Sequence, residues 1–286
     1  MSTIIPETQL PDGTKVFCLI EKEVPVLYDQ VQDYIKHGIE LQCGDVVFDV
    51  GANIGLFSLW TYQKCHKNVN IYAFEPIPAI FEVLQANAKR FDSEKIKVFS
   101  CGLARESKAV EFAYHPNATM LSTAYRDDLS ELQNQLKDTV VRNIENAPKS
   151  LRWLCWLPPF IRSLLIQNKL NKAFQTEQVI CQLRTISEIL QEHKIDRIDL
   201  LKIDVEKGEL DVLWGIDSED WHKIKQIVIE VHDLEHRLQK IIALLREKGF
   251  TEIEVAQETM FEGSNLFNLY AWKSCLKSRS TKYKKP

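Results

Sequence analysis

The sequence predicts a doubly wound, mostly parallel α/β domain with helices on both faces of one sheet and an antiparallel hairpin at its end. Three observations predict it. Val46-Val47-Phe48-Asp49-Val50 is an almost unbroken apolar run, which suits a parallel strand covered on both faces. Strand-like and helix-like segments alternate on either side of it. Two last strand-like runs, Thr251 to Ala256 and Phe267 to Trp272, read as a hairpin.

The elements follow in order. A short strand is expected over Lys15 to Ile20, after a Pro11-Asp12-Gly13 turn. Residues 26–39 place Leu27, Val31, Tyr34 and Ile35 at helical spacing. Beyond the Val46–Val50 strand and a turn from Gly51 to Gly55, a helix begins near Leu56. A second strand, Asn70 to Phe74, ends at Glu75-Pro76, and the next helix carries Phe81, Leu84, Ala88 and Phe91 on one face. A third strand, Lys97 to Cys101, leads into Gly102 and Leu103. Farther on come a strand from Ile198 to Ile203, a helix from Glu209 to Gly215 and a strand from Gln226 to Val231. A helix over Glu235 to Lys248 follows, with the apolar stripe Leu238, Ile241, Ile242 and Leu245.

A long, mostly helix-like stretch between the third strand and Ile198 interrupts the alternation. A structureless loop of that size does not suit a compact domain. Residues 116–176 therefore read as a helical insertion, either a lid over the carboxyl edge of the sheet, where such sheets bind ligands, or extra core. Residues 1–275 are expected to form one domain with residues 1–44 as an N-terminal cap, and residues 276–286 a basic, disordered tail.

Of 286 residues, 45% are hydrophobic and 27% charged, an ordinary globular balance with enough length for a substantial core. The net charge of −4 provides no strong field for nucleic acid or anionic membrane. The seven cysteines form no CxxC pair and read as reduced thiols. No signal pattern or membrane-length apolar run is visible, so a cytoplasmic protein is expected, with no nucleic-acid or membrane partner.

The motif with most chemical content is Asp49-Val50-Gly51-Ala52-Asn53-Ile54-Gly55, which leaves a buried strand and enters a helix. Gly51 and Gly55 let the backbone turn tightly beside a ligand, and the helix start offers unpaired N–H groups. Asp49 can accept hydrogen bonds from an ammonium, and Glu75, at the tip of the next strand, from both hydroxyls of a ribose. S-adenosyl-L-methionine offers those groups. NAD fits less well, because Asn53 stands where its fingerprint needs a second glycine. The plainer alternative is a turn whose glycines serve geometry alone, with Glu75 solvated.

At these residues the chain resembles the FkbM family of methyltransferases. The resemblance runs through Val47 to Leu59, Tyr72-Ala-Phe-Glu-Pro76, Asp199-Leu-Leu-Lys-Ile-Asp-Val-Glu-Lys-Gly-Glu209 and Ile227-Val-Ile-Glu-Val-His232. It implies a Rossmann-like class I methyltransferase sheet that binds S-adenosyl-L-methionine through Asp49, Gly51, Asn53, Gly55, Glu75, Pro76, Gly102, Leu103 and Asp204. The family usually has glycine directly after Asp-Val-Glu. Here Lys207 stands between Glu206 and Gly208, which puts the departure in that turn. The segment from Leu10 through Tyr28 and Tyr34 also resembles O-methyltransferase units of polyketide and peptide pathways. That implies a hydroxyl acceptor on a secondary metabolite, a polyketide, peptide or sugar, either free or bound to a carrier protein.

An alcohol acceptor needs a base beside the cofactor. The candidates at strand tips are Asp204, Glu206, Glu230 and His232, with His232 preferred because a neutral imidazole accepts a proton near pH 7 and Asp204 open to cofactor positioning instead. Glu230 or Glu206 would orient it; the plainer role for His232 is to cap the helix that follows. Asp204, Glu206, Glu230 and His232 could instead hold Mg²⁺, although no metal is the favoured reading. A non-catalytic S-adenosylmethionine-binding protein is a further alternative. Asp204-Val-Glu-Lys-Gly208 replaces the Asn/Asp-Pro-Pro-Tyr run common in nitrogen methylation, which favours oxygen.

Overall fold

The computed structural model describes residues 5–119, 156–158, 161, 163–168, 175–257 and 263–274. Strands β1 (Glu7–Gln9) and β2 (Lys15–Phe17) form an antiparallel hairpin, followed by helix α1 (Val24–Val31) and a 3-10 turn over Gln32–Tyr34. The central unit then builds up as β3 (Val46–Val50), α2 (Leu56–Lys64), β4 (Asn70–Phe74), α3 (Pro78–Phe91) and β5 (Ile96–Phe99).

After β6 (Gly102–Leu103), β7 (Lys108–Tyr114) and β8 (Glu177–Arg184), the alternation resumes. It continues with α4 (Ile186–Glu192), β9 (Leu200–Ile203), α5 (Glu209–Trp214), β10 (Gln226–His232) and α6 (Arg237–Glu247). Strands β11 (Glu252–Ala256) and β12 (Leu266–Trp272) end it.

Seven strands form the main sheet in the order β11-β12-β10-β9-β3-β4-β5. Five run parallel, and β12 inserts antiparallel between β10 and β11. This is the class I methyltransferase arrangement the sequence predicts. The chain winds outward from β3 to β5, then returns to the other side of β3 at β9. The order therefore reverses between β3 and β9, the position at which open α/β sheets bind ligands beyond their strand ends.

Helices cover both faces because alternate strand residues are apolar on each. Val47, Leu200, Val228 and Tyr270 pack with α1, α2 and α3. Phe48, Leu201, Ile229 and Val231 pack with α4, α5 and α6. Asn87 of α3, fully buried, ties the N-terminal hairpin to the loop after β3. Its side chain accepts from the Phe17 N–H (2.8 Å) and donates to the carbonyls of Phe17 (3.0 Å) and Ile54 (2.9 Å).

Several boundaries differ from expectation: the first strand ends at Phe17, the first helix at Val31, and the strand expected from Ile198 begins at Leu200; two further differences have local reasons. The expected helix start at Glu235 moves to Arg237, because Glu235 and His236 have φ of +52° and +61°. The third strand stops at Phe99, and Gly102–Leu103 pairs with β8 in a separate three-stranded sheet, β6-β8-β7. That pairing was not anticipated, although Val110 to Tyr114 and Val179 to Leu183 carry β-branched and aromatic residues.

Residues 120–155 of the expected insertion and residues 276–286 of the expected tail lie outside the described residues, while residues 163–168 are helical. Cys18, Cys65, Cys101 and Cys181 are buried free thiols, and Cys43 is an exposed one. Among the described residues no helix is long and apolar enough to cross a membrane.

Candidate active site

The site begins with a charge inside the sheet. Asp49 of β3 and Lys202 of β9 are register partners on neighbouring parallel strands, so their side chains share a face. Lys202 Nζ lies 3.1 Å from Asp49 Oδ1 and 3.3 Å from Asp204 Oδ2, and donates to the Gly51 carbonyl at 3.0 Å. The rings of Tyr34 and Phe57 lie 5.2 and 5.8 Å from the ammonium. Burial pulls Lys202 toward neutrality, but Asp49 and Asp204 more than offset it, so its pKa is raised and it stays charged. Asp49 is fully buried. Its Oδ2 accepts from the Ser58 hydroxyl (2.7 Å), whereas Oδ1 takes no well-directed hydrogen bond and is compensated by the Lys202 charge. Tyr34 donates to Asp204 Oδ2 at 2.9 Å; burial, then Asp204 and Glu230, hold its phenol well above the ordinary range.

The loop over this pair is shaped by steric need. The N–H groups of Gly51 and Ala52 both donate to the Phe74 carbonyl, at 3.1 and 3.0 Å. Gly51, Asn53 and Gly55 have φ of +75°, +49° and +89°. A Cβ on Gly51 would lie 1.8 Å from the Asp204 carbonyl oxygen, so only glycine fits there. Glu75, at the tip of β4, accepts from the Asn53 N–H (3.1 Å) and the Ile77 N–H (2.9 Å). Burial pushes its pKa up to about 7, and the two backbone bonds only partly offset that. Pro76 borders Gly102, where a Cβ would meet Leu183 at 2.7 Å and Pro76 at 3.5 Å. Leu103 follows, buried.

A second charged group stands at the tips of β9 and β10. His232 Nε2 lies 3.1 Å from Glu206 Oε2, and Nδ1 lies 2.8 Å from Glu209 Oε1. Arg237 donates to Glu209 Oε2 at 3.0 Å. Burial works against the imidazolium, but Glu206 and Glu209 outweigh it and hold the His232 pKa well above the ordinary imidazole range. Lys207 has φ of +67°, the left-handed backbone open to the glycine usual there, and its side chain is buried.

The structure thus brings Asp49, Gly51 and Asp204 together around Lys202, Asn53 onto Glu75, Pro76 against Gly102, and Glu206 onto His232. Sequence reasoning missed Lys202, Tyr34, Glu209 and Arg237. Lys202 had a signal: a lysine in the otherwise apolar run from Leu200 to Ile203 needs a buried counter-charge. Asp204 already has its cation in Lys202, and among the described residues no group of three or more His, Cys, Asp or Glu side chains is arranged to hold a metal.

The family model described as the methyltransferase FkbM domain matches residues 49–252, from the Asp49 that pairs with Lys202 to the edge strand β11. The chain belongs to the FkbM methyltransferase family. It is similar to 31-O-demethyl-FK506 methyltransferase FkbM of Streptomyces tacrolimicus, 34% identical over 95% of this chain and 98% of that one. It is similar also to AMB antimetabolite synthetase AmbE of Pseudomonas aeruginosa, 34% identical over 93% of this chain but 12% of the synthetase. Methyltransferase sdnD of Sordaria araneosa is 29% identical over 87% of this chain and 90% of its own length.

Lys202→Met should leave Asp49 and Asp204 without their shared counter-charge. Breaking a buried ion pair on one side costs about 3–5 kcal/mol, and urea unfolding should show a loss of that order. An unchanged midpoint would mean that Lys202 is incidental.

Proposed function

We propose that this methyltransferase uses S-adenosyl-L-methionine to methylate a hydroxyl group of a secondary metabolite, with His232 as the base. The observation that carries the reading is the pairing, at one carboxyl edge, of the Gly51–Gly55 loop with its neighbour Glu75 and the Glu206–His232–Glu209 group. The loop's geometry is compatible with the cofactor. Gly51 and Gly55 present backbone without Cβ atoms, and Glu75 is a buried carboxylate with its pKa raised to about 7, so hydroxyl donors would stabilise its ionised form. When bound, the cofactor supplies a methyl group on a sulfonium already activated for displacement.

The chain's residues then orient and deprotonate. Glu75 accepts from the ribose hydroxyls. Asp49 and Asp204 fix the loop through Lys202, and Asn53, Pro76, Gly102 and Leu103 shape its surroundings. His232, once neutral, would take the proton of the acceptor hydroxyl at Nε2, and Glu206 and Glu209 would stabilise the imidazolium formed. Glu230, two residues back on β10, adds negative charge near Tyr34. Two relatives support the acceptor class: one is named for an oxygen of demethylated FK506, and the other is a synthetase containing a matching region. A methyltransferase region inside a synthetase suits an acceptor held on a carrier protein.

Two tests follow from these groups. Glu75 must be ionised to accept two hydroxyls, so cofactor affinity should be full above pH 7 and fall as pH drops below it. Glu75→Gln should remove that dependence and weaken binding by the roughly 1.5–3 kcal/mol of a charge-assisted bond, as read by calorimetry. A pH-independent wild-type affinity argues against this role.

His232→Ala should lower turnover about 10²–10⁴-fold with cofactor affinity nearly intact. Because the His232 pKa is raised, the wild-type rate should climb with pH through a group above the ordinary imidazole range. The base assignment fails if the folded variant turns over normally.

A further inference from the structure

His232 is held by a closed ring of hydrogen bonds that the proposed reaction does not require. Glu209 Oε1 accepts from both the backbone N–H of His232 (3.1 Å) and its ring Nδ1 (2.8 Å). Arg237 Nη1 donates to Glu209 Oε2 (3.0 Å) and to the His232 carbonyl (2.9 Å). Glu209 opens α5 and is fully buried, and Arg237 opens α6, so one carboxylate and one guanidinium lock the tip of β10 to two helix starts.

The two flanking carboxylates are not equivalent. Glu209 cannot turn to water, and three donors fix its oxygens. Glu206 sits in the turn after β9 with its side chain 20% exposed, at 3.1 Å from Nε2. When the imidazolium loses a proton, the nitrogen facing the fully buried acceptor keeps its hydrogen, and the nitrogen facing the partly solvated one gives it up.

We propose that Glu209 and Arg237 are positioning residues that hold neutral His232 as its Nδ1–H tautomer, leaving the Nε2 lone pair on the Glu206 side. As a catalytic device this rests on the reading of His232 as the base. The charged groups on the ring are Glu206, in the turn after β9, and Glu209 on α5, with Arg237 of α6 bonded to Glu209; Lys207, Glu230 and Asp233 are their charged neighbours along the chain. The register partner from β12, Leu266, is uncharged. Arg237 therefore has a second effect: it shares the charge of Glu209 and tempers its pull on the imidazolium.

The test is ¹⁵N NMR titration of the full chain labelled at histidine, with the His232 signals assigned by their loss in His232→Ala. Wild-type neutral His232 should appear as the Nδ1–H tautomer. Arg237→Gln should raise the His232 pKa by about one unit, since a neighbouring positive charge is removed, and Arg237→Lys should restore it. Glu209→Gln should lower it. The pH–rate limb should move in the same directions.

A neutral Nε2–H tautomer in the wild type overturns the proposal, and that measurement needs no substitution to fold. So does a His232 titration that Arg237→Gln leaves unmoved. If the NMR shifts appear but the rate ignores them, the clamp stands and the assignment of His232 as base falls.

Discussion

The turn after β3 and the neighbouring tip of β9 are tied together by one buried cation. Lys202 sits at the strand-order reversal, where β3 and β9 lie side by side, and it joins both strand tips and the turn above them. An ammonium in a sheet covered on both faces is costly unless matched, and Asp49 and Asp204 match it from either side. Tyr34 closes the group from the N-terminal segment through its bond to Asp204. The loop after β3 is thus held from beneath, and under the proposed reading contact with the cofactor falls to its backbone and to Glu75.

The second group is built by a different rule. Glu206, His232, Glu209 and Arg237 alternate in charge across the turn after β9, β10, α5 and α6, so each charge has an opposite neighbour. This keeps a histidine protonated at rest despite burial. In the proposed role of base, His232 would be strong when deprotonated, because the carboxylates that raise its pKa also favour its protonated product. Lys207 takes the left-handed backbone that a glycine would adopt without strain, so this turn carries a side chain in a conformation that favours glycine.

The main sheet was legible because its strands are buried runs with helices between them. Asn70–Phe74 emerges with the expected ends, and the hairpin nearly so. The glycine loop was legible because only glycine tolerates φ of +75° under the Asp204 carbonyl. The β7–β8 pair was missed because its partners lie about 70 residues apart in sequence, with register Lys108↔Leu183, and local periodicity carries no long-range pairing. Glu209 was missed for a related reason: as the first residue of a helix it reads as a solvated first-turn acid, and only the fold shows β10 ending against it.

The central claim is that the Lys202 ion group shapes the cofactor loop. The most direct measurement is calorimetric titration of S-adenosyl-L-methionine into Lys202→Met, at a temperature where the variant is folded by circular dichroism. Loss of the charge-assisted bond to the Gly51 carbonyl should weaken binding about tenfold or more. Wild-type affinity in the folded variant would contradict the account.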